Sequence, residues 1–340
     1  MKRFLALLLV TLLLTGCGAM PEEKHTVYEA SFLTLFDTVT VVKGPAESEE
    51  AFGEVARMVH AELEYYHQLF DVYNSYQGMN NLKTVNDQAG IAPVQVDAAI
   101  IELLKDCRSY YELTGGRVNV AMGGVLLLWH EARNAGLNDP LHAALPSMER
   151  LKAAAENSDL ASVVIDEEAS TVYISNPNVR LDVGAVAKGW AAQRVAEKMP
   201  ANMLLSVGGN VCATGPKYAD TPWVIGVQDP AGAGNQYLHT LYVTGGSYVT
   251  SGDYQRTYTV DGKDYHHIID PDTLMPGTYW RSVTIVCEDS GLADALSTAL
   301  FLLPLEEGQK ILEASGAMAM WVDGAGNLYY SPGFKEIIRT

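Results

Sequence analysis

The chain has 340 residues, a formal net charge of −18, a sequence pI near 4.8 and 48% hydrophobic residues. That length holds one large or two ordinary domains, with apolar material enough for a full core. The acid excess excludes a broad basic face for nucleic acid and a body held on anionic lipid by charge, but leaves room for a local anion site, above all one with a divalent cation.

Lys2-Arg3 and the apolar run Phe4–Leu14 read as an export signal, because the run is shorter than the roughly twenty residues of a membrane span. Leu14-Thr15-Gly16-Cys17 resembles the bacterial lipobox. The resemblance implies that residues 1–16 are a lipoprotein signal peptide, that Cys17 is lipidated, and that residues 17–30 are its tether. Residues 31–340 are then expected to form a single domain. Of the other cysteines, Cys107, Cys212 and Cys287, none has a CxxC or zinc-like spacing. One disulfide is allowed but not demanded; free buried thiols are the plainer expectation.

Ser31–Val42, rich in β-branched and aromatic residues, predicts a first strand kinked near Asp37 and ended by Gly44-Pro45. Ala46–Phe70 carries Phe52, Val55, Met58, Val59 and Leu63 at helical spacing and predicts a long amphipathic helix. A polar loop follows to Gly90. Asp97 is placed to cap a second helix that Thr114-Gly115-Gly116 stops after Leu113. Asn119–His130 begins with a turn-like Gly-Gly and continues apolar. A helix is predicted over Ser147–Glu156, a hairpin over Val163–Ile165 and Thr171–Ile174, and a helix from about Ala185 to Met199. Strand Leu204–Val207 ends at Gly208-Gly209-Asn210. Further strands are predicted at Trp223–Val227, Leu238–Thr244, Ser247–Thr250, Arg256–Val260 (before an Asp261-Gly262 turn) and Ser282–Cys287. Helices Leu292–Leu302 and Leu305–Ala314 precede a last pair, Ala317–Val322 and Leu328–Tyr330. The irregular alternation of helix and strand favours an α+β fold, with mixed or largely antiparallel sheets and packed helices, over a doubly wound one.

Several stretches carry chemistry. Asp182-Val183-Gly184-Ala185-Val186-Ala187-Lys188 puts an acid, a glycine and a lysine at a helix start, which suits a phosphate or carboxylate, or is simply a capped helix. Asp294 and Thr298 are four apart on a helix, so both oxygens share one face; they suit magnesium or calcium, or are a helix-start acid and a back-bonded threonine. His266 and His267 adjoin within Tyr265-His266-His267-Ile268-Ile269-Asp270-Pro271. In an extended segment they face opposite ways, so one at most enters a given site. No HExxH or GxSxG occurs, and nothing local brings Ser251, His267 and Asp270 together as a triad.

The order of these motifs resembles the ApbE family, the FAD:protein FMN transferases, over about Phe32–Leu302. The resemblance rests on Asp182–Ala192, Ser206-Val207-Gly208-Gly209-Asn210, Thr250-Ser251-Gly252-Asp253-Tyr254, His267–Pro271 and Ala293–Ala299. It implies an ApbE-like (T-fold-like) α+β architecture and Mg2+-dependent transfer of the FMN moiety of FAD, as substrate, to a threonine hydroxyl of a target flavoprotein, with release of AMP. The alternatives are an FAD pyrophosphatase giving FMN and AMP, and a non-catalytic FAD-binding lipoprotein. By the resemblance, Asp294, Thr298 and the Ala185 carbonyl hold Mg2+. Phe36, Tyr73, Ala121, Met122, Gly123, Asp182, Lys188 and Ile268 contact FAD, and His267 is catalytic. The chain departs from the family at Phe36-Asp37-Thr38, where relatives have Met before Gly-Thr. It departs also at Ala121-Met122, where Thr-Val is commoner, and at Ser297, where some relatives have an acid. The implied setting is the extracytoplasmic face of a membrane, with an acceptor such as a membrane redox-complex subunit.

Overall fold

A computed structural model describes residues 26–232 and 236–339. The signal peptide and Cys17 lie outside the described residues. Strand β1 (Val27–Leu33) begins inside the stretch expected to be tether, with Val27 opposite Pro45 of β2 (Val39–Pro45). The expected single kinked strand is thus an antiparallel hairpin. Its turn runs through Thr34, Phe36 and Asp37, at φ 85°, 52° and 54°. Three left-handed residues in so short a span reverse the chain, where a kink would only bend it.

Helix α1 (Glu49–Phe70) starts at Ser48, whose Oγ accepts the Ala51 N–H. The expected polar loop after it contains a short helix, α2 (Leu82–Asp87), because Asn81 and Thr84 exchange capping hydrogen bonds. Next come β3 (Val94–Gln95) and α3 (Ala98–Leu113), the latter capped by Asp97 as expected. The apolar stretch from Asn119 opens α4 (Gly123–Asn138), followed by α5 (Met148–Ala155), the hairpin β4 (Val163–Asp166) and β5 (Thr171–Ile174), and α6 (Ala187–Ala196).

The C-terminal part is strand-rich. It contains β6 (Leu204–Val207), β7 (Asn210–Ala213), β8 (Trp223–Gln228), β9 (Tyr237–Val243), β10 (Gly246–Gly252), β11 (Tyr258–Val260), β12 (Lys263–Tyr265) and β13 (Ser282–Cys287). Helices α7 (Ser290–Phe301) and α8 (Leu305–Ser315) and strands β14 (Met318–Val322) and β15 (Leu328–Tyr330) complete it.

The fold is α+β. Its main sheet has eight strands in the order β1-β2-β6-β7-β10-β13-β14-β15, with every neighbouring pair antiparallel. The large core lies between this sheet and helices α1, α3, α6 and α7, with Trp190, Phe301 and Trp321 fully buried. A second core on the opposite face joins Trp223, Leu241 and Val243 of the β8–β9 pair to Tyr248 and Phe334. A third packs α4 against β11 through Trp129 and Tyr258.

All three described cysteines are free. Ser247 on β10 is opposite both Cys212 and Cys287, so a whole strand separates these two thiols. Two strand spacings come to about 9–10 Å, beyond the ~7 Å that a disulfide can bridge.

Candidate active site

A cavity of about 900 Å³ opens where the β1–β2 turn, the loop after α1, α4, the 182–188 segment, residues 250–256, residues 265–269 and α7 converge. Of the residues singled out in the sequence, Phe36, Tyr73, Met122, Asp182, Ala185, Lys188, His267, Ile268, Asp294 and Thr298 line it. Ala121 and Gly123 do not; they stand behind the wall. Ala121 is wholly buried, and its N–H donates to Asn119 Oδ1 at 2.9 Å. Gly123 donates to the Arg180 carbonyl at 3.0 Å, so close that a Cβ there would lie 2.6 Å from that oxygen. The two hold Met122, at the start of α4, against the cavity.

At one end, α7 presents Asp294 and Thr298 on a single face, as their spacing requires. Asp294 is buried; its Oδ2 accepts the Gly189 N–H at 2.9 Å, and Lys188 Nζ stands 3.3 Å away. Helix α6 begins at Ala187 with Val186 as its cap, so the Gly189 N–H is one of its unpaired first-turn donors, and Asp294 satisfies it. Ala185, just before that cap, lines the cavity wall. Ser297 Oγ donates to the Asp294 carbonyl at 2.9 Å and meets Ser251 Oγ at 2.8 Å. It is engaged there, and Ser251 with it. Among the described residues no cluster of three or more His, Cys, Asp or Glu could hold a metal. Asp294, Thr298 and the Ala185 carbonyl are instead a mixed set of hard oxygens, of the kind that suits magnesium with water completing its shell.

The adjoining histidines do face different surroundings. His266 Nδ1 accepts the Ile268 N–H at 3.2 Å, so Nε2 carries the proton and donates to the Gly277 carbonyl at 2.9 Å. Its ring sits edge-on against Phe301, both nitrogens are used, and burial pushes its pKa down. His267 Nδ1 lies 3.2 Å from the Gln255 carbonyl, which can only accept, so the neutral ring donates from Nδ1 and turns an unprotonated Nε2 free for a ligand. Protein crowds this ring from below while its surface stays open to the cavity. Burial, then the charges of Arg256 and Lys188, push its pKa down to about 3. The open face tempers the burial contribution, but the two cations act in the same direction, and the ring is neutral near pH 7. Asp270 pairs with Arg117 at 3.3 Å and Ser251 with Ser297, so these residues and His267 form no triad.

At the other end, Tyr73 stacks on His130, with centroids 4.7 Å apart and an interplanar angle of 22°. The loop carrying Tyr73 is tied down by Asp71, which accepts the Tyr73 and Asn74 N–H groups at 2.7 and 3.0 Å and the Tyr76 hydroxyl at 2.8 Å. Burial lifts the Asp182 pKa, against the opposing effects of the Gly184 N–H at 2.8 Å, His130 and Arg256. Phe36 gives its N–H to His67 Nδ1 at 3.3 Å and its carbonyl to Arg256 at 3.1 Å.

Sequence reasoning missed His67, His130, Arg133 and Arg256, which also line the cavity. For two of them a signal existed. Met122, Leu126, Trp129, His130 and Arg133 follow helical spacing and make one face of α4. Arg256, expected to open a strand, instead has φ 48° and lies two residues before β11.

Comparison with known proteins bears on family and fold. The sequence model described as the ApbE family matches residues 28–321. The FAD:protein FMN transferase of Treponema pallidum (strain Nichols) is 34% identical, over 84% of this chain and 83% of that protein. Its Escherichia coli (strain K12) namesake is 24% identical over 98% and 96%. The crystal structure of the ApbE protein of Thermotoga maritima superposes with a TM-score of 0.81 at 29% identity, covering 93% of this chain and all of that one. The flavin transferase ApbE of Vibrio cholerae shares the fold, with a TM-score of 0.75 at 21% identity over 92% and 99%. With most of its length matched by the family model and a relative above 30% identity, the chain belongs to the ApbE family.

Proposed function

We propose that this chain is a flavin transferase that moves the FMN moiety of FAD to a threonine hydroxyl of a target flavoprotein, with Mg2+ held by Asp294, Thr298 and the Ala185 carbonyl. The observation that carries this reading is the convergence in one cavity of Asp294, whose carboxylate caps the Gly189 N–H, with Thr298, Ala185 and His267, whose Nδ1 is engaged by the Gln255 carbonyl. When bound, the ion neutralises charge on the pyrophosphate. The threonine oxygen forms a bond to the FMN phosphorus, the P–O bond to the AMP phosphate breaks, and AMP leaves with the bridging oxygen. His267 Nε2 accepts the hydroxyl hydrogen bond, orients the nucleophile and passes its proton on to solvent. A weak base suffices, because bonding to the nucleophile is slight in a loose phosphoryl-transfer transition state and its proton departs late. The start of α6 lies on the cavity wall, where its dipole and Lys188 favour the phosphates. Tyr73, Met122, Ile268 and Asp182 bind the flavin end, with Phe36 at the rim.

Residues from β1 onward act as one catalytic domain in this reading, lipid-anchored through Cys17 on the extracytoplasmic side of a membrane. The acceptor is then a flavoprotein exposed on that side, such as a subunit of a membrane redox complex. Among the described residues no helix is long and apolar enough to cross a membrane. Cys17→Ala should release the protein from the membrane fraction.

The deciding experiment incubates the protein from Met20 onward with FAD, Mg2+ and a candidate acceptor, and follows acceptor mass and nucleotides. A gain of one FMN with equimolar AMP supports transfer. Free FMN and AMP with an unmodified acceptor support an FAD pyrophosphatase. Unchanged FAD sinks both and leaves an FAD-binding lipoprotein.

A further inference from the structure

Arg256 closes the polar and aromatic run Thr250–Arg256, two residues past the Thr250–Tyr254 motif, and lines the cavity. Its charge is felt at Tyr73 and Asp182 on the flavin side and at His267, beside Lys188, on the metal side. The other cavity cations are placed differently. Lys188 is held by Asp294, and Arg117 by Asp270 and Asp272. Arg133 stands on the α4 face with His130. Among the described residues Arg256 is in no ion pair; its guanidinium spends one N–H on the Phe36 carbonyl at 3.1 Å. Both partners of that hydrogen bond are non-glycine residues in the left-handed region, at φ 48° and 52°. Such backbone persists where surrounding structure imposes it, and it concentrates at sites that bind ligands. Here it holds an exposed guanidinium, in no ion pair among the described residues, at the cavity wall.

We propose that Arg256 is a further catalytic residue, whose guanidinium forks onto the pyrophosphate of FAD and stabilises the charge that develops on the phosphoryl group in flight. This rests on the flavin-transfer reading. A planar fork suits two phosphate oxygens as an ammonium does not, and charge placed in advance of the transition state acts on kcat more than on ground-state binding.

The test compares wild type, Arg256→Ala and Arg256→Lys in FMN transfer with saturating Mg2+, and measures FAD binding by flavin fluorescence. Arg256→Ala should lower kcat by about 10²–10³-fold and change FAD affinity by less than about fivefold. Arg256→Lys should recover little, and added guanidinium should restore part of the Arg256→Ala rate. A purely structural strap behaves otherwise, because the lysine can still donate to the Phe36 carbonyl and would restore the rate. Recovery in Arg256→Lys, an effect confined to KM, or a kcat in Arg256→Ala within about threefold of wild type overturns the proposal. Wild type that leaves FAD unchanged removes the underlying reading, and the proposal with it; wild-type turnover with indifferent variants removes the proposal alone.

Discussion

The Gly189 N–H donates to Asp294 Oδ2 at 2.9 Å, from the first turn of α6 to a carboxylate on α7. One hydrogen bond thus couples the two helices, fixes the Asp294 rotamer and caps the first turn of α6. The contact needs glycine. A Cβ at residue 189 would lie 2.2 Å from the Ser290 carbonyl oxygen and 2.5 Å from Asp294 Cβ.

Gly189→Ala should therefore force α6 and α7 apart, at a cost of roughly 1–3 kcal/mol, and loosen Asp294. Thermal unfolding is expected at lower temperature, with a higher Mg2+ requirement. An unchanged melting temperature would show that the helices give way freely.

Asp294→Asn keeps the shape of the side chain and removes its charge. FMN transfer should fall by at least about 10²-fold, and half-maximal Mg2+ should rise about tenfold or more. Calorimetric Mg2+ titration alongside the rate assay checks both. Wild-type rates in this variant would place the metal elsewhere.

His267 makes a prediction about pH. With its pKa pushed down by burial and by the Arg256 and Lys188 charges, it titrates below the ordinary histidine value of about 6.5, so kcat should show no acid limb there when the pH is lowered from 8. Stability takes the opposite course. In His266 and His267 the folded pKa lies below that of the unfolded chain, so on acidification the unfolded chain takes up protons first. Their contribution to stability is present above about pH 6.5 and is lost as the pH falls toward their folded values. Denaturant titrations at pH 7.5 and 5.5 should show the drop, and His266→Gln should flatten it. His267→Ala should slow transfer by about 10²-fold with FAD affinity nearly intact; lost affinity would make it a binding residue.

Asp71 lines the cavity and ties down the Tyr73 loop. Burial raises its pKa, but the hydrogen bonds from Asn74, Tyr73 and Tyr76 outweigh it and hold the carboxyl below its ordinary range. Asp71→Ala removes the common acceptor of this loop. It should raise KM for FAD about fivefold or more while kcat changes little, as read in initial-rate kinetics; a fall in kcat alone would contradict the positioning role.

Short-range patterns determined much of this protein. Ser48 and Asp97 caps, the helical spacing within α1, and strand β6 between its turn residues all depend on neighbours a few positions away, which the sequence displays directly. The shared face of Asp294 and Thr298 and the divergence of His266 and His267 follow from the periods of helix and strand. Tertiary structure alone decided the rest. Left-handed backbone at Thr34, Phe36 and Asp37 turned one expected strand into a hairpin. Ala121 and Gly123 went behind the wall because α4 packs against the Arg180 backbone. Arg256 meets Phe36 across 220 residues of chain. Such meetings depend on which apolar faces are buried against each other once the eight-stranded sheet and its helices assemble, and no local period in the chain records them.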